Sequence, residues 1–166
     1  MAAVRKTPST WIDAGLLALK QSGPDGLRAE TLARKLDTTK GSFYWHFKDV
    51  PAFHDAVLAA WSEQAHARFE AAMKAGKTPV TQLRGLGKYR QSPLDHAVRA
   101  WAVQEPRAQK VVSKIDKVML SRIAELLKEI DATHPDFPGL IHAALLAAPR
   151  SGSHAETLID LLLVLK

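Results

Sequence analysis

The hydrophobic positions of this chain recur at helical spacing from one end to the other. Ile12, Leu16 and Leu19 lie at i, i+4 and i+7, which places them on one face of a helix. Similar spacing returns in later segments, whereas the strict alternation of strands is scarce and no Asn-Gly hairpin signal occurs. The pattern predicts an all-α fold.

Glycines, prolines and capping residues divide the first part of the chain into separate helices. The first helix is predicted to end near Ser22-Gly23, and a short second helix to cover residues 29–36. The tight break at residues 37–39 ends in Thr39, whose hydroxyl is suited to cap a third helix over residues 40–47. Two short helices thus follow each other closely.

Longer helices are predicted in the rest of the chain. Asp49 caps a fourth helix that reaches about Lys74, and Pro106 opens another long one. The segment between them includes a weak helix that Gly85 and Gly87 are expected to interrupt. Further helices are predicted at residues 93–104 and 140–148 and after a capping box at residues 153–156.

Composition and charge exclude several classes of protein. The 166 residues contain no cysteine, which excludes disulfides, thiolate metal sites and cysteine nucleophiles. The apolar runs 140–148 and 158–165 are shorter than the ~20 residues that span a bilayer, and the first ten residues do not resemble a secretory signal. We therefore expect a cytoplasmic protein that does not enter a membrane.

The positive charge is concentrated near the N-terminus. The net charge is +6, and residues 1–48 hold eight Lys and Arg against four acidic residues. A basic surface attracts phosphate polymers or anionic membranes. The charge alone is also compatible with an ordinary solvated surface.

Residues 29–47 have the layout of a helix-turn-helix, with two short helices joined by a three-residue turn. The second helix of such a motif enters the major groove of DNA, and its N-terminal residues meet the base edges. Here Lys40 offers charge, Gly41 allows close approach, and Ser42 offers a hydroxyl. The pattern favours binding of double-stranded DNA.

Aromatic residues are unusually dense in the same helix. Phe43 and Phe47 lie four apart, so both are expected to point inward. Tyr44, Trp45 and His46 cannot all face inward as well, so at least one of them must be exposed. Exposed aromatic residues beside lysines indicate a binding surface.

The run from residue 40 to residue 48, Lys-Gly-Ser-Phe-Tyr-Trp-His-Phe-Lys, strongly resembles the recognition helix of the tetracycline-repressor (TetR) family. Residues 27–36 resemble the second helix of that family and residues 53–61 the start of its fourth. The resemblance implies a DNA-binding head over residues 1–48 and a ligand-binding and dimerisation body over residues 49–166. It further implies a homodimeric repressor that leaves a palindromic operator when a small-molecule effector binds.

The resemblance also implies which residues contact DNA. Residues 39–42 match positions that touch bases or nearby phosphates, and Trp45 matches a variable position facing the groove. The backbone contacts match Arg28, Tyr44, His46 and Lys48. The complete predicted set is Arg28, Thr38, Thr39, Lys40, Gly41, Ser42, Tyr44, Trp45, His46 and Lys48.

Three departures from the family pattern bear on stability or affinity. Asp37 and Thr38 replace the usual glycine and branched apolar residue of the turn. Because aspartate tolerates left-handed backbone better than most residues, we expect the turn to persist. Arg28 replaces the usual capping Ser or Thr, so the cap of the second helix is expected to be weak, and Val50-Pro51 replaces charged residues.

The last two predicted helices are apolar nearly all round and must be covered. Burial within the chain and burial against a second copy are the two alternatives, and the resemblance favours the dimer. The predicted dimer interface is Leu140, Ile141, Leu145, Leu158, Leu162 and Leu165.

The effector pocket is less well marked in the sequence. The candidates are also typical of an ordinary core; they are Trp61, Phe69, Tyr89, His96, Trp101 and Met119. The chain has no HExxH motif, phosphate-binding loop or catalytic triad, so no metal, no cofactor and no enzymatic activity are predicted. Two rivals stay open: a helical small-molecule-binding or scaffold protein with degenerate DNA binding, and a DNA-binding activator or non-specific architectural protein.

Overall fold

A computed structural model of the chain describes residues 6–74, 76–147 and 154–164. Within these ranges the protein forms nine α-helices and no strand, which confirms the predicted all-α class. A 3₁₀ turn, Gly23–Leu27, follows the first helix. The helices are α1 Pro8–Ser22, α2 Ala29–Lys35, α3 Lys40–Tyr44, α4 Val50–Lys74, α5 Pro79–Gly87, α6 Pro93–Ala102, α7 Pro106–Glu129, α8 Phe137–Leu146 and α9 His154–Val164.

The described helices are too short or too polar to cross a membrane. The described residues fall into two compact units. Unit 1 contains the residues up to 63 together with residues 92–112, and unit 2 contains residues 64–91 together with the residues from 113 onward. The functional division between residues 48 and 49 stays a prediction, although the start of α4 and the whole of α6 are grouped with the helix-turn-helix.

Side-chain caps fix where α3 and α4 begin, as predicted. The Thr39 hydroxyl accepts a hydrogen bond from the Ser42 amide at 3.3 Å. Asp49 Oδ1 accepts one from the Ala52 amide at 2.7 Å. The weak cap predicted at Arg28 is also confirmed, because its side chain makes no capping bond to α2. The capping box predicted at residues 153–156 begins outside the described residues.

An aromatic cluster forms the core of unit 1. The ring of Phe43 lies 5.3 Å from that of Trp11 and 5.2 Å from that of Phe53, and Phe47 lies 4.9 Å from Phe53. Phe43 is fully buried and Phe47 nearly so, which confirms that both point inward. The cluster holds α3 against α1 and α4.

Close approach of α1 to α4 makes this cluster compact. A Cβ atom on Gly15 would lie 2.7 Å from the tip of Phe53, too near for any side chain. Helix α6 packs against α1 and against the 3₁₀ turn. The Trp61 indole N–H of α4 donates to the buried carboxylate of Asp95 in α6 at 2.7 Å. These contacts give α3 a fixed support.

Helix α3 is shorter than predicted, ending at Tyr44 rather than Phe47. After it, the amides of His46 and Phe47 both donate to the Phe43 carbonyl at 3.0 Å. This tighter turn still directs Phe47 inward, so the core contact is kept while the regular helix ends early.

In unit 2, α9 packs against α5 and α8. The sequence-based expectation that Gly85 interrupts α5 is wrong, because α5 runs continuously through Gly85 and ends only at Gly87. A Cβ atom on Gly85 would lie 2.2 Å from the Ala72 carbonyl oxygen, and one on Gly87 would lie 2.9 Å from Glu156 Cα. Both glycines allow close packing between helices, and Gly85 does so without breaking α5.

Candidate nucleic-acid interface

The turn between α2 and α3 has the geometry that the sequence predicts. Asp37 adopts a left-handed backbone with φ of 50°, one of two non-glycine residues with positive φ among those the structure describes. The Thr38 amide donates to the Ala33 carbonyl at 2.9 Å, which closes the end of α2. The chain then enters α3 directly at its capped Thr39. Asp37 thus replaces glycine without loss of the helix-turn-helix.

The predicted DNA-contacting residues all lie at the surface of unit 1. Seven of the ten are exposed and Thr38, Ser42 and His46 are half-buried, while Phe43 and Phe47 beside them are buried. Helix α3 therefore has one face fixed to the core and one face free. Whether the free face contacts DNA stays a prediction.

The exposed aromatic residues of this face differ in how firmly they are held. The Tyr44 ring packs edge-on against Phe43 with centroids 5.2 Å apart, yet the residue is 46% exposed. Trp45 is 82% exposed and projects further from the core. A shallow groove of about 290 Å³ lies alongside, lined by Thr39, Gly41, Ser42, Trp45 and His46.

Gly41 leaves the start of α3 open to an approaching molecule. A Cβ atom there would meet only the Thr39 hydroxyl, at 3.7 Å. Nothing within the described protein requires glycine at this place. The space outside the backbone at Gly41 is therefore open.

Two of the predicted cationic contacts are paired with carboxylates. Arg28 lies 2.8 Å from Asp25, and Lys40 Nζ lies 2.5 Å from Glu30 Oε1. The hydrogen bond and charge of Lys40 lower the pKa of Glu30, and Glu30 raises the pKa of Lys40 in return. The sequence-based reasoning missed both acids. The i,i+3 spacing could have revealed Asp25, whereas only the fold brings Glu30 to Lys40.

The predicted dimer-interface residues separate into two groups. Ile141, Leu145 and Leu162 are buried inside unit 2. Their burial agrees with the alternative in which these helices are covered by the chain itself. Leu140 is 49% exposed and Leu158 is half-buried, while Leu165 lies outside the described residues. Leu161 and Val164 of α9, which are not in the predicted interface set, are also exposed.

The six predicted pocket residues are divided equally between the two units. Trp61, His96 and Trp101 belong to unit 1, whereas Phe69, Tyr89 and Met119 belong to unit 2. Five of them are buried and His96 is exposed. Trp61 is held by Asp95, and Phe69 packs edge-on against Tyr89 at 6.1 Å, which are contacts of an ordinary core.

An open groove of about 390 Å³ lies elsewhere in unit 2. It carries an exposed ion pair, Arg84 with Asp160 at 3.1 Å. Over the ranges that the structure covers, no three His, Asp or Glu side chains are arranged to hold a metal ion. The groove is lined by Ala71, Ala72, Thr81, Arg84, Gly85, Lys88, Glu156 and Asp160.

Two curated relatives are similar in sequence to part of this chain. The class A tetracycline repressor of transposon 1721 from Escherichia coli is 37% identical over 59 residues, which cover 36% of this chain and 27% of the repressor. The class G tetracycline repressor of Vibrio anguillarum is 37% identical over 59 residues, with 36% and 28% covered. The similarity thus spans about a quarter of each relative. No family model matches the chain.

Solved structures match the fold along nearly the whole chain. A transcriptional regulator from Rhodococcus sp. Rha1 gives a TM-score of 0.72 at 15% identity, covering 96% of this chain and 95% of its own. A TetR-family member from Streptomyces coelicolor A3 gives 0.63 at 21% identity, covering 93% and 95%. The multidrug binding protein EbrR complexed with malachite green gives 0.67 at 19% identity, covering 96% and 98%. The chain therefore has the fold of these solved structures, and over 59 residues it is similar to two tetracycline repressors.

Proposed function

We propose that the protein is a homodimeric transcriptional repressor that binds a palindromic operator and is released by a small-molecule effector. The observation that supports this proposal most directly is that α3 has one buried face and one exposed face. Its polar N-terminal residues face solvent, while Phe43 on the same helix is fully buried against Trp11 and Phe53. A helix held in this way presents a fixed polar surface.

The free face of α3 suits the major groove. A groove about 12 Å wide admits a helix, whose N-terminal amides and positive dipole end favour phosphate. Lys40 adds charge at this end, and the open space at Gly41 allows the backbone to approach closely. Tyr44 and Lys48 are exposed beside it and supply donors for the DNA backbone.

A dimer would explain both a palindromic site and the exposed apolar residues of unit 2. Two recognition helices set ~34–36 Å apart read half-sites separated by one turn of DNA. Leu140, Leu161 and Val164 are exposed large hydrophobic residues on the two last helices. Surfaces of that kind are covered when a second copy packs against them.

Release by an effector requires that the effector favour a state that does not fit DNA. A ligand shifts such an equilibrium only by its difference in affinity for the two states. The neighbour EbrR is a multidrug binding protein complexed with malachite green. For this chain we propose an organic effector bound within the body.

The rival reading, a helical ligand-binding or scaffold protein with degenerate DNA binding, was motivated by the turn and by the cap of α2. Asp37 nevertheless adopts the left-handed conformation, and α2 forms without a side-chain cap. The start of α3 keeps its own cap from Thr39. These features favour DNA binding over the rival.

Selection from a random duplex pool tests the proposal. We expect a two-fold symmetric site to be enriched by the wild-type protein and lost with Tyr44→Ala at the same salt concentration. Leu17→Ala is the matched control, because Leu17 is an exposed residue of α1 outside the predicted contacts. Failure to enrich any site, with weak binding that vanishes as salt rises, would contradict the proposal.

A further inference from the structure

The ion pair between Glu30 and Lys40 joins the start of α2 to the start of α3. Lys40 Nζ lies 2.5 Å from Glu30 Oε1, and both side chains are more than half exposed. The two residues are ten apart in sequence, so this contact exists only in the folded helix-turn-helix. It places a carboxylate on the surface that is proposed to face a polyanion.

The surroundings of Glu30 are strongly cationic. Arg28 and Arg34 act on the carboxylate together with Lys40, and all three favour its ionised form. Glu30 therefore stays charged at neutral pH and remains a competitor for the Lys40 ammonium. Close to DNA the same carboxylate would repel phosphate oxygens of any sequence.

The effect of such a pair on DNA binding depends on the kind of contact. In a non-specific complex a lysine contributes by neutralising a phosphate, which releases a counterion. A lysine that is already paired with a carboxylate contributes less to binding through counterion release. An ammonium group has three donors, so Lys40 keeps two for a base edge while Glu30 holds the third.

We propose that Glu30 is a specificity-determining residue, which withholds Lys40 from sequence-independent phosphate binding and aims it at a base in the operator. The proposal rests on the proposed function of α3 as a recognition helix. Glu30 acts through Lys40 and positions it, without being required to touch DNA itself. Its removal should therefore raise affinity for DNA of any sequence while it weakens discrimination between sequences.

The test compares Glu30→Gln with the wild type on the selected duplex and on a scrambled duplex. Glu63→Gln is the matched control, because it changes net charge equally at an exposed residue of α4 outside the helix-turn-helix. Relative to that control, we expect Glu30→Gln to raise affinity for the scrambled duplex about two- to fivefold, the range of an exposed ion pair. The selected duplex should gain less, so the ratio of affinities falls.

The salt dependence separates this role from a general loss of negative charge. For the scrambled duplex we expect the log–log slope to steepen by about 0.9, which corresponds to one more phosphate neutralised. Glu30→Asp should restore part of the wild-type ratio, since it keeps the charge on a shorter side chain. Equal changes on both duplexes, or changes no larger than those of Glu63→Gln, would overturn the proposal.

A readout without DNA tests the pair itself. Lys40 should react faster with an acylating reagent in Glu30→Gln than in the wild type, because the paired ammonium is protected. An unchanged rate would show that the pair does not form and would overturn the proposal even if DNA binds specifically. If the wild type enriches no site, the proposed function fails, and the scrambled duplex at low salt still decides whether Glu30 withholds Lys40.

Discussion

At the scale of single residues, neighbouring side chains of α3 and the turn after it lie in the core and at the exposed surface. Phe43 fills the core beside Trp11, whereas Tyr44 and Trp45 next to it are exposed. The core side fixes the helix, and the free side keeps side chains and backbone accessible. Substitutions on the free side should therefore change binding without changing the stability of the fold.

Gly41→Val separates these two roles. Because a Cβ atom at Gly41 meets only the Thr39 hydroxyl, at 3.7 Å, the free protein has room for the new side chain. We expect its free energy of unfolding to change by no more than about 1 kcal/mol. Affinity for the selected duplex should fall about tenfold or more, since crowding a close-packed contact costs on the order of 1–3 kcal/mol.

Urea unfolding and binding titrations of the same preparations measure both effects. Gly139→Val provides the control, because Gly139 also has open space around it but lies in α8 of unit 2. Unchanged DNA affinity in Gly41→Val would show that the backbone at this position does not approach DNA.

His54 makes the stability of unit 1 depend on pH. The residue is half-buried, with its ring 5.1 Å from Trp101, and burial lowers its pKa below the ordinary 6.5. Glu105 and Asp55 raise the pKa and Arg107 lowers it, but burial is the largest cause.

The unfolded chain binds a proton at His54 more readily than the folded chain does. The stability that the folded chain gains from holding His54 neutral is therefore fully present above pH 6.5. It is lost progressively as the pH falls from 6.5 toward the lowered folded pKa. We expect urea midpoints of the wild type to fall over this range and those of His54→Gln to fall less. Parallel curves for the two proteins would contradict this explanation.

Part of the residue-scale picture follows from sequence. The i,i+4 spacing of Phe43 and Phe47 predicts their burial, and the tolerance of aspartate for left-handed backbone predicts the turn at Asp37. The contact between Glu30 and Lys40 is not predictable from spacing, because it requires the turn to bring two helix starts together.

At the scale of helices, the packing of α6 on α4 depends on a buried polar contact. Asp95 is 2% exposed, and its Oδ1 accepts the Trp61 indole N–H at 2.7 Å. Its Oδ2 accepts from the amide and the hydroxyl of Ser92, which cap α6. One carboxylate thus fixes both the start of α6 and its attachment to α4.

Trp61→Phe should destabilise the protein more than Trp11→Phe does. Both substitutions shrink a buried indole, but the Trp11 N–H has no hydrogen-bond partner within the described residues. Trp61→Phe additionally removes a donor from a buried carboxylate, which costs about 1–3 kcal/mol. The difference between the two free energies of unfolding measures this cost, and equal losses would show that the contact adds nothing.

Helix positions were predicted more reliably than helix contacts. Caps and prolines marked the starts of α3, α4, α6 and α7, because those signals are local. Gly85 was misjudged, since its reason is the backbone of Ala72 in another helix, which no local pattern reveals.

At the scale of the whole molecule, the apolar character of α8 and α9 has two explanations that sequence does not separate. Ile141 and Leu162 are buried within unit 2, whereas Leu161 and Val164 are exposed. Periodicity indicates that these helices are largely covered, but only their packing decides which side chains stay exposed.

Leu161→Glu tests the proposed dimer. Leu161 is 55% exposed, so the substitution should leave the single subunit folded while placing a charge in the interface. We expect sedimentation equilibrium to show dimers for the wild type and monomers for the variant at the same concentration. Leu17→Glu, on the exposed surface of α1, is the control. Monomers in the wild type would remove the basis for a palindromic site.

The proposed repressor function depends on sequence-specific binding by the exposed face of α3. The most direct test measures wild-type affinity for the selected duplex and for the same duplex with both half-sites scrambled, at one fixed salt concentration. For a specific regulator we expect the affinity for the selected duplex to exceed that for the scrambled duplex by about 10³ or more. Equal affinities that fall together as salt is raised would contradict it.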